Sequence, residues 1–161
     1  MLPMSGWFYW VLLVTGCIKR PLIDRLYTVN PPGVGWEEVP SSGGADRAWL
    51  HAKTNGIIYV DANCGRQFED RNLRDSMYSL THGIVYGEIL SSEELIVSKR
   101  KGLLQVREGR IDGVEVWVGA LVVAKNNCLF DFLLLSNPKT FRQGIHGFLN
   151  TVHSLQMPIE R

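Results

Sequence analysis

The chain has 161 residues, 45% of them hydrophobic and 20% charged, with a formal net charge of +1 at pH 7. That length supports one domain around one hydrophobic core and leaves no room for a second. A charge balance this even gives no general attraction toward nucleic acid, so no nucleic-acid partner is expected.

Charge is unevenly placed along the chain. Residues 1–16 contain no Asp, Glu, Lys, Arg or His, and Lys19, Arg20, Asp24 and Arg25 follow almost at once. The apolar run from Trp7 to Val14 is too short for a bilayer core that needs about 20 residues, but it suits the apolar region of an export signal. Leu13-Val14-Thr15-Gly16-Cys17 resembles the lipobox of bacterial lipoproteins. The resemblance implies that residues 1–16 are a lipoprotein signal peptide cleaved after Gly16, and that Cys17 is the lipid-attachment residue and first residue of the mature chain. It implies a membrane partner through that anchor and a cell-envelope address. Ile18 in place of Asp after the cysteine favours the outer membrane, facing the periplasm, by similarity to enterobacterial sorting.

Residues 17–45 hold Pro21, Pro31-Pro32-Gly33, Gly35, Pro40 and Ser41-Ser42-Gly43-Gly44, a composition that resists regular structure and reads as a lipidated tether. Trp36 is either a loop aromatic that covers the rim of the core, the reading favoured, or a docking point with Val39 beside it on a short edge strand. A single domain is expected over residues 46–157. It opens with Arg47 to His51, a turn at Lys53-Thr54-Asn55-Gly56, and Ile57 to Ala62; Asn-Gly between two apolar runs predicts a hairpin. Leu73, Met77, Leu80 and Ile84 recur at helical spacing. Leu103–Ile111 and Val114–Lys125 flank Asp112-Gly113, which predicts a second hairpin with a tight turn.

In the strand that follows, Val114, Val116, Val118, Ala120 and Val122 share one side while Trp117, Leu121 and Val123 share the other, so both faces are covered. Asn126-Asn127 turns the chain into the apolar strand Cys128 to Leu135. Asn137-Pro138 predicts a helix start, with Asn as N-cap and Pro at the first helical position. Phe141, Ile145, Phe148, Leu149 and Val152 form the buried stripe of that helix, and Gly144 and Gly147 mark close packing on the sheet. The fold class is therefore α+β, an antiparallel sheet flanked by two helices.

Asn55-Gly56-Ile57-Ile58-Tyr59-Val60, Cys64, the helix from Leu73 to Gly83, Ile111-Asp112-Gly113-Val114 and Asn127-Cys128-Leu129-Phe130-Asp131-Phe132 together resemble small bacterial lipoproteins of the PsbP-like fold. The resemblance covers about residues 45–155. It implies an α/β/α sandwich and a noncatalytic accessory protein. A fold alone does not set a function.

Three cysteines leave Cys64 and Cys128 once Cys17 is lipidated. One closes a strand and the other opens a strand, so antiparallel neighbours bring them together and an oxidising periplasm joins them as a disulfide. Without export they are two reduced core cysteines. No Cys-x-x-Cys or His-x-x-x-His pair provides a zinc site, and no metal or cofactor is expected. Gly-x-Ser-x-Gly, a phosphate-cradling loop and the dinucleotide fingerprint are all absent, so the chain is read as no enzyme.

Asp131, inside an apolar strand, must be paired, stand at an edge, or have a raised pKa. Lys99, Arg100 and Lys101 form the one concentrated charge patch, either a solvated loop or a contact for anionic headgroups or an acidic partner. Trp49, Trp117, Phe130 and Phe148 are core aromatics or the contacts of a small apolar ligand. The leading expectation is a membrane-anchored accessory module that binds an envelope protein. The alternative is a carrier or sensor of a small apolar ligand, and an enzyme with an unrecognised site comes third.

Overall fold

The computed structural model describes residues 26–41, 43–68, 71–82 and 87–157. Cys17, the leader before it and Ile84 lie outside the described residues. In chain order the elements are β1 (Trp36–Val39), β2 (Arg47–His51), β3 (Ile57–Cys64), α1 (Leu73–His82), β4 (Ile89–Val97), β5 (Arg100–Ile111), β6 (Val114–Lys125), β7 (Cys128–Ser136) and α2 (Phe141–His153). The strands form one seven-stranded sheet in the order β1-β2-β3-β7-β6-β5-β4. Every pair in it is antiparallel.

Three tight turns fix the right half of the sheet. Ser98-Lys99, Asp112-Gly113 and Asn126-Asn127 all have positive φ at both residues, from 49° to 82°, the backbone twist that joins twisted antiparallel strands through two residues. The β2–β3 hairpin forms by a different route. Asn55 alone is left-handed, at φ 54°, and the loop closes through Asn55 N–H to His51 O (3.0 Å) and His51 N–H to Gly56 O (2.8 Å). The Asn-Gly pair therefore ends the loop that contains the predicted turn Lys53-Thr54-Asn55-Gly56 and joins β2 to β3 as a hairpin.

Alternation along the central strands sorts side chains onto two faces. Trp49, Ile58, Val60, Leu121, Val123, Phe130, Phe132 and Leu134 pack beneath α2 with Phe141, Phe148 and Val152. Val118, Ala120, Val122, Leu103, Leu129 and Leu133 pack beneath α1 around Met77. Val118, Ala120, Val122, Phe132, Leu134 and Phe148 are fully buried. This is the sheet covered on both faces that the valine-rich β6 predicts.

Four expectations are corrected. The stretch between α1 and Leu103 contains a strand, β4, whose Ser91-Ser92-Glu93-Glu94 centre hides it from a search for apolar alternation. The expected tether is largely folded where it is described. Tyr27 and Val29 are buried in the α2-side core, Thr28 pairs with Gln156 through two 2.9 Å hydrogen bonds, and β1 extends the sheet. The folded unit thus begins well before residue 46. The basic run is not a loop throughout, since Ser98-Lys99 form the turn and Arg100 and Lys101 already belong to β5. Finally, α2 starts at Phe141, with Thr140 as N-cap. Asn137 instead caps a turn: its Oδ1 accepts Lys139 N–H at 3.0 Å and its carbonyl accepts Thr140 N–H at 3.0 Å. Asn and Pro favour such turns as strongly as helix starts.

Gly144 and Gly147 bring α2 close to its neighbours, as expected. A β-carbon at Gly144 would meet Leu134 Cδ1 at 3.2 Å, and one at Gly147 would meet Trp36 Nε1 at 2.5 Å. Trp36 is a docking point on β1, the second of the two roles that its place in a Pro/Gly-rich segment allows, with its ring edge-on to His51 at 5.0 Å.

Candidate functional site

β3 and β7 pair in a register that sets Asp61 directly opposite Asp131. Both strands are otherwise apolar at their centres, so the two carboxyls share a largely apolar setting. They line one cavity of about 360 Å³ with Tyr59, Leu80, Leu133, Ala45 and Gly43. Asp61 Oδ2 accepts Asn63 Nδ2–H at 2.7 Å. Asp131 Oδ1 is buried and meets no hydrogen-bond donor among the described residues.

Burial, and then the neighbouring Asp61, push the Asp131 carboxyl up from 3.8 to about 7, with Arg71 opposing the shift. Of the three outcomes open to an acid in an apolar strand, Asp131 takes the raised pKa. Arg71 is held elsewhere, donating to Ser79 Oγ at 3.1 Å and lying over the Phe68 ring. Near neutral pH the cavity therefore offers, at Asp131, a carboxyl that can donate or accept a proton, with the Asp61 side chain beside it. The acid inside Phe130-Asp131-Phe132 was a visible signal. Its pairing with Asp61 was not, because register depends on where both strands start.

A second feature is the outer edge of β4. Its inner edge pairs with β5 from Ile89 to Val97, with an irregularity between Ile89 and Ser91, and it is the last strand of the sheet. Ile89, Leu90 and Ile96 on this strand are 51%, 43% and 64% exposed. A nine-residue edge strand that exposes large apolar side chains is a template for a further strand.

Other predicted residues fall in different places. Trp49, Phe130 and Phe148 are buried in the α2-side core and line none of the described cavities. Trp117 is half-buried, edge-on to Phe141 at 5.5 Å, and borders a polar cavity of about 320 Å³ with Arg110, Glu115 and Pro138. The four aromatics are thus not gathered around one ligand space. Lys99, Arg100 and Lys101 are exposed at the β4–β5 turn, where Lys101 pairs with Glu94 at 3.4 Å. Cys64 stands opposite Cys128 in the β3–β7 register, and the two form the expected disulfide, with an S–S distance of 2.07 Å.

No family model matches the chain, and no curated protein matches it in sequence. Solved structures do match its fold. Cyanobacterial PsbP from Synechocystis is similar with a TM-score of 0.59 and 14% identity, over 84% of this chain and 89% of that one. LpqN, involved in cell envelope biogenesis in Mycobacterium tuberculosis, is similar with a TM-score of 0.59 and 10% identity, over 82% and 84%. A Pseudomonas aeruginosa protein of unknown function, thought to be a regulator, is similar with a TM-score of 0.52 and 12% identity, over 78% and 83%. The fold is PsbP-like, as the sequence motifs imply. At these identities the likeness defines the architecture and leaves function to the chain's own surfaces.

Proposed function

We propose that this protein is a lipid-anchored component of the cell envelope whose noncatalytic PsbP-like domain binds another protein as an accessory part of a membrane assembly. The anchor is Cys17, and the outer membrane facing the periplasm is its address. One observation carries the binding role: β4 ends the sheet with an open edge and exposes Ile89, Leu90 and Ile96. Isolated exposed apolar residues need no explanation, but three on a strand whose outer edge has no partner among the described residues make a binding edge.

The same strand disfavours self-association. Antiparallel pairing of two β4 strands about their centre would set Glu93 of one copy directly opposite Glu93 of the other, with both Glu94 side chains close by, and like charges directly opposite are destabilising. A partner strand with basic residues at that point is favoured instead. The LpqN likeness, from a protein involved in cell envelope biogenesis, supports the envelope part of that address and does not bear on which membrane.

The test is a photo-crosslinking amino acid placed at position 96 of the full chain in its own cells. A discrete adduct in the membrane fraction, absent when the crosslinker stands at exposed Val34, supports the reading. An adduct only between two copies, or equal labelling at both positions, overturns it.

The cavity with Asp61 and Asp131 favours a second reading, ligand binding. Its apolar walls and two carboxyls suit a small molecule with an apolar body and a cationic or hydrogen-bonding head, in place of the purely apolar ligand that the aromatics suggested.

A further inference from the structure

The strand directions gather basic residues at one end of the sheet. The β4–β5 turn carries Lys99, with Arg100 and Lys101 following it in β5. Gly102 pairs with Val123, so continuing that ladder by two residues brings Arg100 level with Lys125 at the end of β6. The next turn, Asn126-Asn127, accepts Gly65 N–H on Asn127 O at 2.8 Å. That contact sets the exposed Arg66 beside the same end. Five basic side chains drawn from three connections thus converge where the sequence shows one short run, and Glu94 offsets Lys101 among them.

The opposite end has a different balance. Asp112, Glu108 and Glu115 stand there with Arg110 and Lys139, and Arg110 is paired with Glu115 at 3.4 Å. Lys53, in the β2–β3 loop, also lies at that opposite end.

The N-terminal entry point supplies the direction. Tyr27 packs edge-on to Phe130 at 5.7 Å, two residues from Cys128, and Thr28 pairs with Gln156 just beyond the end of α2. The chain therefore joins the domain at its basic end. Eight residues lie between Cys17 and Leu26, among them Lys19, Arg20, Asp24 and Arg25, and the full extension from Cys17 to Leu26 spans at most about 30 Å.

We infer that this end of the sheet is the membrane-facing surface, and that Lys99, Arg100, Lys101, Lys125 and Arg66 bind anionic phospholipid headgroups. The inference rests on the anchored reading above and adds an orientation to it. A single lipid anchor sets no orientation by itself; basic side chains next to an anionic leaflet add a second, salt-sensitive attachment. It also turns the opposite end, with Trp117 and the Asp112-Gly113 turn, away from the bilayer.

The test is amine footprinting of the full chain, purified from membranes and reconstituted into vesicles of phosphatidylglycerol with phosphatidylcholine or of phosphatidylcholine alone. Acetylation of Lys99, Lys101 and Lys125 is expected to fall at least about threefold in the anionic vesicles, and to recover in high salt, where screening removes the attraction. Lys53 and Lys139 serve as internal controls and stay equally reactive in both lipids. Flotation of the vesicles reports anchoring separately. Flotation with no selective protection overturns the inference and leaves the anchor intact. No flotation overturns both. Protection on native envelopes but not on anionic vesicles overturns it in favour of an acidic protein surface.

Discussion

Asp61 stands directly opposite Asp131 on the β3–β7 ladder, so two carboxyls meet over an apolar floor with one buried oxygen unpartnered. The pair makes the domain's stability depend on pH. Asp131 titrates near 7 in the folded chain and near 3.8 unfolded, so the folded state binds this proton more tightly. The stabilising contribution of that proton is complete below about pH 4, declines as pH rises, and is lost above about pH 7 to 8. A melting series should therefore show Tm falling between pH 5 and pH 8. Asp131→Asn should flatten that series and raise stability at pH 8 by about 1–3 kcal/mol, since it removes the buried charge and its repulsion from Asp61. A variant no more stable than the parent at pH 8 would show that the carboxylate has a donor supplied from solvent or a ligand.

Cys64 and Cys128 close a 64-residue separation at the end of two strands already in register. The chain-entropy model assigns about 4 kcal/mol to a loop of this size, and measured values are commonly about 2–4 kcal/mol. Because the ladder from Ile57 to Asn63 holds the strands independently of the bond, the double variant Cys64→Ser, Cys128→Ser should still fold. It should lose about that much in urea unfolding and keep its circular dichroism spectrum. Loss of folding altogether would mean that the β3–β7 register forms only after oxidation.

Tyr27 binds the segment before β1 to the domain. Its hydroxyl donates to Asp46 Oδ2 at 3.0 Å, the same oxygen accepts Ala62 N–H at 3.0 Å, and burial followed by the Asp46 charge pushes the phenol pKa well upward. Tyr27→Phe should cost about 1.5–3 kcal/mol, the worth of a hydrogen bond to a charged acceptor. Tyr27→Ala should cost about 3–5 kcal/mol by adding a core cavity. If neither change moved the unfolding midpoint, residues 26–29 would be dispensable, as the tether reading of this region holds.

The contrast between Tyr27 and β6 explains which parts of the fold were legible. From Val118 to Val123 every residue of β6 is buried, because a strand covered on both sides writes its environment into a local pattern; Val114, at the start of the strand, is 61% exposed and departs from that pattern. Tyr27 and Val29 have no periodic neighbours; prolines and glycines surround them, and their burial depends on the distant Phe130 and Gln156. β4 failed for the opposite reason. At the sheet edge it buries little beyond Val97, so no apolar period marks it. In the site, Asp131 signalled itself as an acid among phenylalanines, whereas the Asp61 contact and the gathering of Lys125 and Arg66 with Lys99 follow from register and turn geometry. The disulfide was legible because both cysteines lay at recognisable strand ends.

Gly147 sets local propensity against packing. In an exposed helix, replacing Gly by Ala stabilises by about 1 kcal/mol. At Gly147 the added carbon would lie 2.5 Å from Trp36 Nε1 and 3.1 Å from Pro32 Cβ, so the bulky indole would have to turn out of its place beside His51. Overpacking of this kind costs about 1–3 kcal/mol, so Gly147→Ala should be destabilising by about 1 kcal/mol net. Gly147→Ala combined with Trp36→Leu should recover the helix gain, giving a coupling opposite in sign to the single-variant loss. Additive single effects in that double-mutant cycle would place the cost elsewhere than at the contact between α2 and β1.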